Sequence, residues 1–138
     1  MGNTLAIFGW FLWQASIVGG LGAAFFWIPF VIIVAAIVWA FAHAVIERRK
    51  LWLLVSLPII WIFVGLWGGA FWRGDVANPK WVEFPITTAL LAYLAIALIL
   101  IWVLRGARLL ALLVAVLNLY FAVAMTFLAG MAVTGTWL

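Results

Sequence analysis

The sequence predicts an all-α integral membrane protein. It reads as a helical bundle of four firm transmembrane helices plus an N-terminal hydrophobic segment, forming one domain over residues 1–138. Three observations predict it. Only 7% of residues are charged, whereas a soluble surface calls for about 25%. Hydrophobic residues make up 72% of the chain, and the mean hydropathy is +1.41. The charges also gather in short tracts separated by uncharged runs of about 20 residues or more, the length needed to cross a bilayer.

Residues 5–42 carry no formal charge, which is too long a run for one crossing. Gly19-Gly20-Leu21-Gly22 is the natural break, because glycine costs helix stability and permits a turn. The segment 4–18 is short for a crossing at 1.5 Å per residue. It reads as interfacial or re-entrant, with a fifth span as the alternative. No Lys or Arg precedes it, which argues against a cleaved signal peptide. Ala6 occupies the place where a myristoylation motif has Ser or Thr.

The first firm span covers about residues 24–46, with Pro29 expected in its first turn, where a missing N–H does no harm. The second covers about 51–71, with Pro58 expected to kink it. The third, about 85–104, opens at Pro85, and the fourth runs over about 109–131. The turn Arg105-Gly106-Ala107-Arg108 is so short that the third and fourth spans must be antiparallel neighbours.

Orientation follows from charge. Arg48, Arg49, Lys50, Arg105 and Arg108 oppose only Glu47, while the loop 73–83 balances Arg73 and Lys80 with Asp75 and Glu83. Basic residues stay in cytoplasmic loops, so the first two tracts are expected inside and loop 73–83 and the C-terminus outside. Sparse loops and absent cysteine point to a bacterial inner membrane. Trp52 and Trp102 are expected near the inner interface, and Trp27, Trp72, Trp81 and Trp137 near the outer one, as amphipathic indoles prefer.

The sequence is poor in chemistry. No carboxylate lies mid-span, there is no metal-ligand cluster or paired-carboxylate site, and no cysteine can act as nucleophile or ligand. No basic patch interleaves with accessible aromatics, so nucleic acid is not an expected partner. The chain is therefore expected not to be an enzyme.

His43 is the one ionisable residue set within a span. It offers a ligand to haem or a chlorophyll-type pigment, or simply a neutral imidazole bonded to a carbonyl, and the second is the more ordinary role. Asn118 sits mid-span on one face with Ala111, Ala115, Ala122, Thr126 and Ala129, at spacings of three or four. Such a face is expected to bind helix to helix, with polar contact to a lipid, quinone or pigment as the alternative. Gly65 and Gly69 form a small-xxx-small pair, and Ala36, Ala40 and Ala44 a similar stripe. Asn78-Pro79-Lys80-Trp81 reads as a turn with Trp81 anchored at the interface.

Ala40-Phe41-Ala42-His43 resembles the small-residue-then-histidine pattern of light-harvesting polypeptides, but those cross the membrane once and nothing else matches. The motifs of fluoride channels and small multidrug pumps are absent, so no family is recognised. The expected function is a non-catalytic accessory subunit of a larger respiratory, photosynthetic or transport complex, in contact with lipids and other subunits. A homo-oligomeric small-solute channel or carrier lined by Asn118, Thr126 and Gln14 is the first alternative, and a haem or pigment protein using His43 the second.

Overall fold

A computed structural model describes residues 5, 7–10, 21–43, 50, 52–73 and 76–135 of the chain. Among these residues the protein is all-helical. The long helices are α1 (Leu21–Ala42), α2 (Ser56–Ala70), α3 (Phe84–Val103) and α4 (Arg108–Thr134). Short 3-10 turns at Trp52–Val55, Lys80–Val82 and Arg105–Ala107 lead into the last three. Counted with those turns, Trp52–Ala70, Lys80–Val103 and Arg105–Thr134 are long and apolar enough to cross a membrane.

Two prolines sit differently from expectation. Helix α1 begins at Leu21, so Pro29 lies inside it instead of in its first turn. In lipid an interior proline is tolerated where neighbouring helices re-satisfy the freed carbonyl. Pro58, expected to kink a helix, falls in the first turn of α2, because the preceding residues wind as a 3-10 turn. There its missing N–H is one that the helix would leave unpaired anyway. The Ser56 hydroxyl donates 2.6 Å to the Leu53 carbonyl and helps close this junction.

Helix α3 carries Pro85 at its start, as the sequence implies. Helix α4 runs three residues past its expected end at Met131, to Thr134, and is about 40 Å long. It stops at Gly135, whose φ of 70° only glycine adopts freely and whose N–H donates to the Met131 carbonyl.

The two ends of the bundle follow from cross-links. The Trp67 indole N–H donates to the Val82 carbonyl, which joins the end of α2 to the start of α3. Asn78 reaches the carbonyls of Phe71 and Val133, which brings in the end of α4. The start of α2, the end of α3 and the start of α4 therefore share the opposite end. Phe41 meets Trp52 edge-on at 5.3 Å, so the end of α1 lies there too. That is the basic end, holding Lys50, Arg105 and Arg108, all exposed. Ala44, Glu47, Arg48 and Arg49 lie outside the described residues, as do Asp75, Trp137 and most of segment 4–18, with Gln14 and Gly19-Gly20.

Helix α4 is the centre and touches each of the other three long helices. Its buried residues repeat every seven positions in three files: Ala111, Asn118, Met125, Ala132; Val114, Phe121, Leu128; and Ala115, Ala122, Ala129. A seven-residue repeat keeps one seam facing its partners when helices supercoil left-handedly. Leu57, Trp61, Val64 and Gly68 on α2 follow the same spacing, as do Ile86, Tyr93, Ala97, Leu100 and Leu104 near and along α3. Helix α1 adds Ile33, Ala36, Ile37 and Ala40 to this core.

Lipid is as apolar as these side chains, so association rests on close van der Waals fit and hydrogen bonds, not on escape from water. Two backbones come close at Gly68. A Cβ there would stand 2.5 Å from the Ala129 Cβ and 2.6 Å from its Cα. Gly65 makes room for the Phe8 ring, and Gly69 is also buried. Ile7, in a helical turn over residues 7–10, is buried against Gly68.

This packing yields a paired expectation. Gly68→Ala pushes α2 off α4 and should cost about 1–3 kcal/mol, since backbone atoms cannot step aside. Gly130→Ala meets nothing within 4 Å. It should be neutral or stabilising by up to about 1 kcal/mol through helix propensity. Unfolding of the two variants in detergent micelles measures both, and equal tolerance would refute the close approach.

Candidate functional site

Asn118, Trp61 and Tyr93 place polar groups inside the bundle. Asn118 lies midway along α4, where Ala115 and Ala122 leave space beside it, and it is fully buried. Trp61 lies midway along the helical stretch Trp52–Ala70 and is nearly buried. Its indole N–H donates 3.0 Å to the Asn118 Oδ1. The Asn118 Nδ2 donates 2.9 Å to the Val114 carbonyl one turn earlier. Phe121 stacks on Trp61 at 5.3 Å, and Phe8 approaches Trp61 at 6.5 Å. The indole is thus held between rings, with its one donor on the amide.

A second link lies one residue over. The Tyr93 hydroxyl, buried on α3, donates 2.5 Å to the Ala115 carbonyl. Helix α4 is therefore hydrogen-bonded to α2 and to α3 at neighbouring levels. Thr126 shares the small-residue face, and its Oγ1 is enclosed with no hydrogen-bond partner among the described residues. The structure brings Asn118 together with Ala111, Ala115, Ala122 and Ala129 on one buried face.

Sequence reasoning named Asn118 and missed both of its partners. The signal was present: a Trp far from either end of a span needs an acceptor for its N–H, and mid-span acceptors here are few. It also missed Asn78, read only as part of a turn. Asn78 is buried at the loop end, where its Nδ2 donates to Phe71 and Val133 at 2.7 and 3.0 Å and its backbone N–H to Val133 at 2.9 Å. These bonds satisfy carbonyls that helices leave open at their C-termini. Trp81, expected at the interface, is exposed and meets Phe71 edge-on at 5.6 Å.

His43 stands apart at the basic end, exposed, one residue beyond α1. Its Nδ1 is 3.0 Å from the Trp39 carbonyl, and its ring stacks on Trp39 at 5.0 Å. With the proton on Nδ1, the Nε2 lone pair is left as an acceptor. Among the described residues no three of His, Cys, Asp and Glu come together as a metal site. The surface instead offers shallow apolar grooves. One of about 570 Å³ on α4 is lined by Val116, Leu119, Tyr120, Val123, Ala124 and Phe127. One of about 470 Å³ at the basic end is lined by Val38, Phe41, Ala42 and Trp52. Chemically, this arrangement holds helices together and presents apolar outer faces.

The Trp61–Asn118 bond is open to a double-mutant cycle. Trp61→Phe and Asn118→Leu should each destabilise the fold by about 1–3 kcal/mol, since each strands or removes a buried polar group. Their coupling should lie near 0.6 kcal/mol, with about 1.7 as the ceiling for such bonds in membranes. Strict additivity in detergent unfolding would mean the bond contributes nothing. No protein-family model, curated protein or solved structure matches the chain.

Proposed function

We propose that this protein is a non-catalytic accessory subunit of a larger membrane complex, respiratory, photosynthetic or transport. One observation carries this reading. Leu109, Leu112, Val116, Tyr120, Val123 and Phe127 form an exposed row along α4, again at spacings of three and four. Helix α4 thus has one seam for its own bundle and a second of similar period turned outward. A row of that period suits the flank of a neighbouring helix. The amide and the indole inside the spans are meanwhile occupied with one another.

In this reading α1 is a fourth crossing, and its 22 residues would span about 33 Å. The N-terminal segment is re-entrant, a placement supported by Ile7 and Phe8 packed against the glycines of α2. The basic end faces the cytoplasm of a bacterial inner membrane, and the loop end faces outward. The homo-oligomeric channel has less support. Its lining was to include Asn118, whose amide is bonded within one chain, and Thr126, whose hydroxyl is enclosed; Gln14 lies outside the described residues.

Purification of the tagged protein in mild detergent from its native membrane tests the proposal. Stoichiometric partner chains should appear by mass spectrometry. Val123→Trp, which enlarges the outward row only, should lower their recovery while leaving the fold intact. A uniform free monomer would overturn the accessory reading.

A second reading has one observation in its favour. The contact between His43 and the Trp39 carbonyl fixes the imidazole and turns a basic nitrogen outward, as an axial ligand to a haem or chlorophyll-type pigment requires. It predicts a visible absorption band in the purified particle that disappears in His43→Leu. A colourless particle with unchanged partners removes it.

A further inference from the structure

The basic end holds a feature that neither the packing nor the accessory role accounts for. Arg105 and Arg108 are both exposed, three residues apart, on the turn that joins α3 to α4. Among the described residues, the one carboxylate is Glu83, at the opposite end of the bundle, so neither guanidinium has an acidic partner there. The turn beneath them is pinned. Leu104 is fully buried and its N–H donates to the Leu100 carbonyl, while buried Ala107 donates to Leu104. The Arg105 guanidinium lies 5.1 Å from the centroid of the Trp102 ring, which is itself 64% exposed.

We propose that Arg105 and Arg108 form a binding site for the phosphodiester of an anionic glycerophospholipid. The cation–π contact with Trp102 uses none of the Arg105 guanidinium's N–H donors, which remain for phosphate oxygens. The pinned turn fixes where both side chains start, Trp102 holds the Arg105 guanidinium, and charge-assisted bonds to phosphate are the strong ones. Trp102 sets the level, since indoles settle where headgroups meet acyl chains. Below the arginines, Leu109, Leu112 and Val116 are exposed in a row along α4, a track for the acyl chain that free phosphate would not use. A zwitterionic lipid fits less well, because its amine brings a third cation to the pair. The site needs no partner subunit, and its acyl track uses only the first three residues of the outward row of α4, leaving Tyr120, Val123 and Phe127 to a neighbouring helix.

Native mass spectrometry of the detergent-purified chain, incubated with equal phosphatidylglycerol and phosphatidylcholine, tests the site. Phosphatidylglycerol adducts should predominate, by roughly fivefold for each arginine. Arg105→Gln with Arg108→Gln should bring the two lipids close to parity, whereas Arg73→Gln with Lys80→Gln at the loop end should leave the preference intact. Excess inorganic phosphate should not displace the lipid. Equal adducts on the unaltered chain, an unchanged preference in the arginine pair, or displacement by phosphate would each overturn the proposal. Should the double variant fail to fold, Arg108→Gln alone decides, with a severalfold drop expected and no drop fatal.

Discussion

A polar side chain in a bilayer has no water to turn to, and this one constraint organises the structure around Asn118. Its amide needs donors and acceptors at the level where helices are most apolar. It finds them in the Val114 carbonyl of its own helix and the Trp61 indole of α2. An Asn on the lipid side would keep its bond to Val114 but leave its Oδ1 open, so the amide favours the face of α4 that turns toward Trp61. The alanines around it then allow the close approach that the bond requires. Packing and hydrogen bonding fix the same rotation of α4, which is the agreement between levels that marks a well-specified fold.

The inward face of α4 was legible in the sequence because its signals are local. Ala111, Ala115, Asn118, Ala122 and Ala129 lie at helical spacing, and the structure buries all five. The helical class was legible for the same reason, from the length and apolarity of the runs. Tertiary partners were not. That Trp61 needs an acceptor is legible from its mid-span place, but the residues near it do not say that the acceptor is Asn118, fifty-seven positions away. The glycine pair shows the same limit. Spacing picked out Gly65 and Gly69, yet Gly68 is a glycine that meets the Ala129 backbone, because the crossing of α2 over α4 decides where the helices touch. Proline positions shifted for a subtler reason. A 3-10 turn before Ser56 and an earlier start to α1 moved Pro58 and Pro29 relative to their helix ends, and such boundaries depend on a few backbone bonds.

The two ends of the bundle solve unlike problems. At the loop end the C-termini of α2 and α4 meet the start of α3, and the open carbonyls of those C-termini need donors. Asn78 supplies two bonds to Val133 and one to Phe71, and Trp67 supplies another to Val82, so the short polar loop serves as a clasp. At the basic end, the α3–α4 connection is tight and internally bonded, and its arginines project from it unpaired by acid among the described residues. One end is closed by amides that face inward, and the other presents cations that face outward.

This asymmetry bears on function. A transporter needs polar groups that alternate between partners as a solute passes, and intramembrane polar residues in such proteins line a cavity. Here the mid-span amide is locked between a carbonyl and an indole that is itself held by Phe121. To free Asn118 for a solute would leave the Trp61 N–H unpaired in an apolar core, at a cost of about 1–3 kcal/mol before any gain from the solute. This bonding favours the proposed accessory role over a solute path through Asn118. What varies from face to face is the outside: an apolar row on α4, exposed indoles at both ends, and two arginines on a rigid turn. On the proposed reading, recognition by this chain belongs to that outer surface, with lipids and neighbouring helices as its partners.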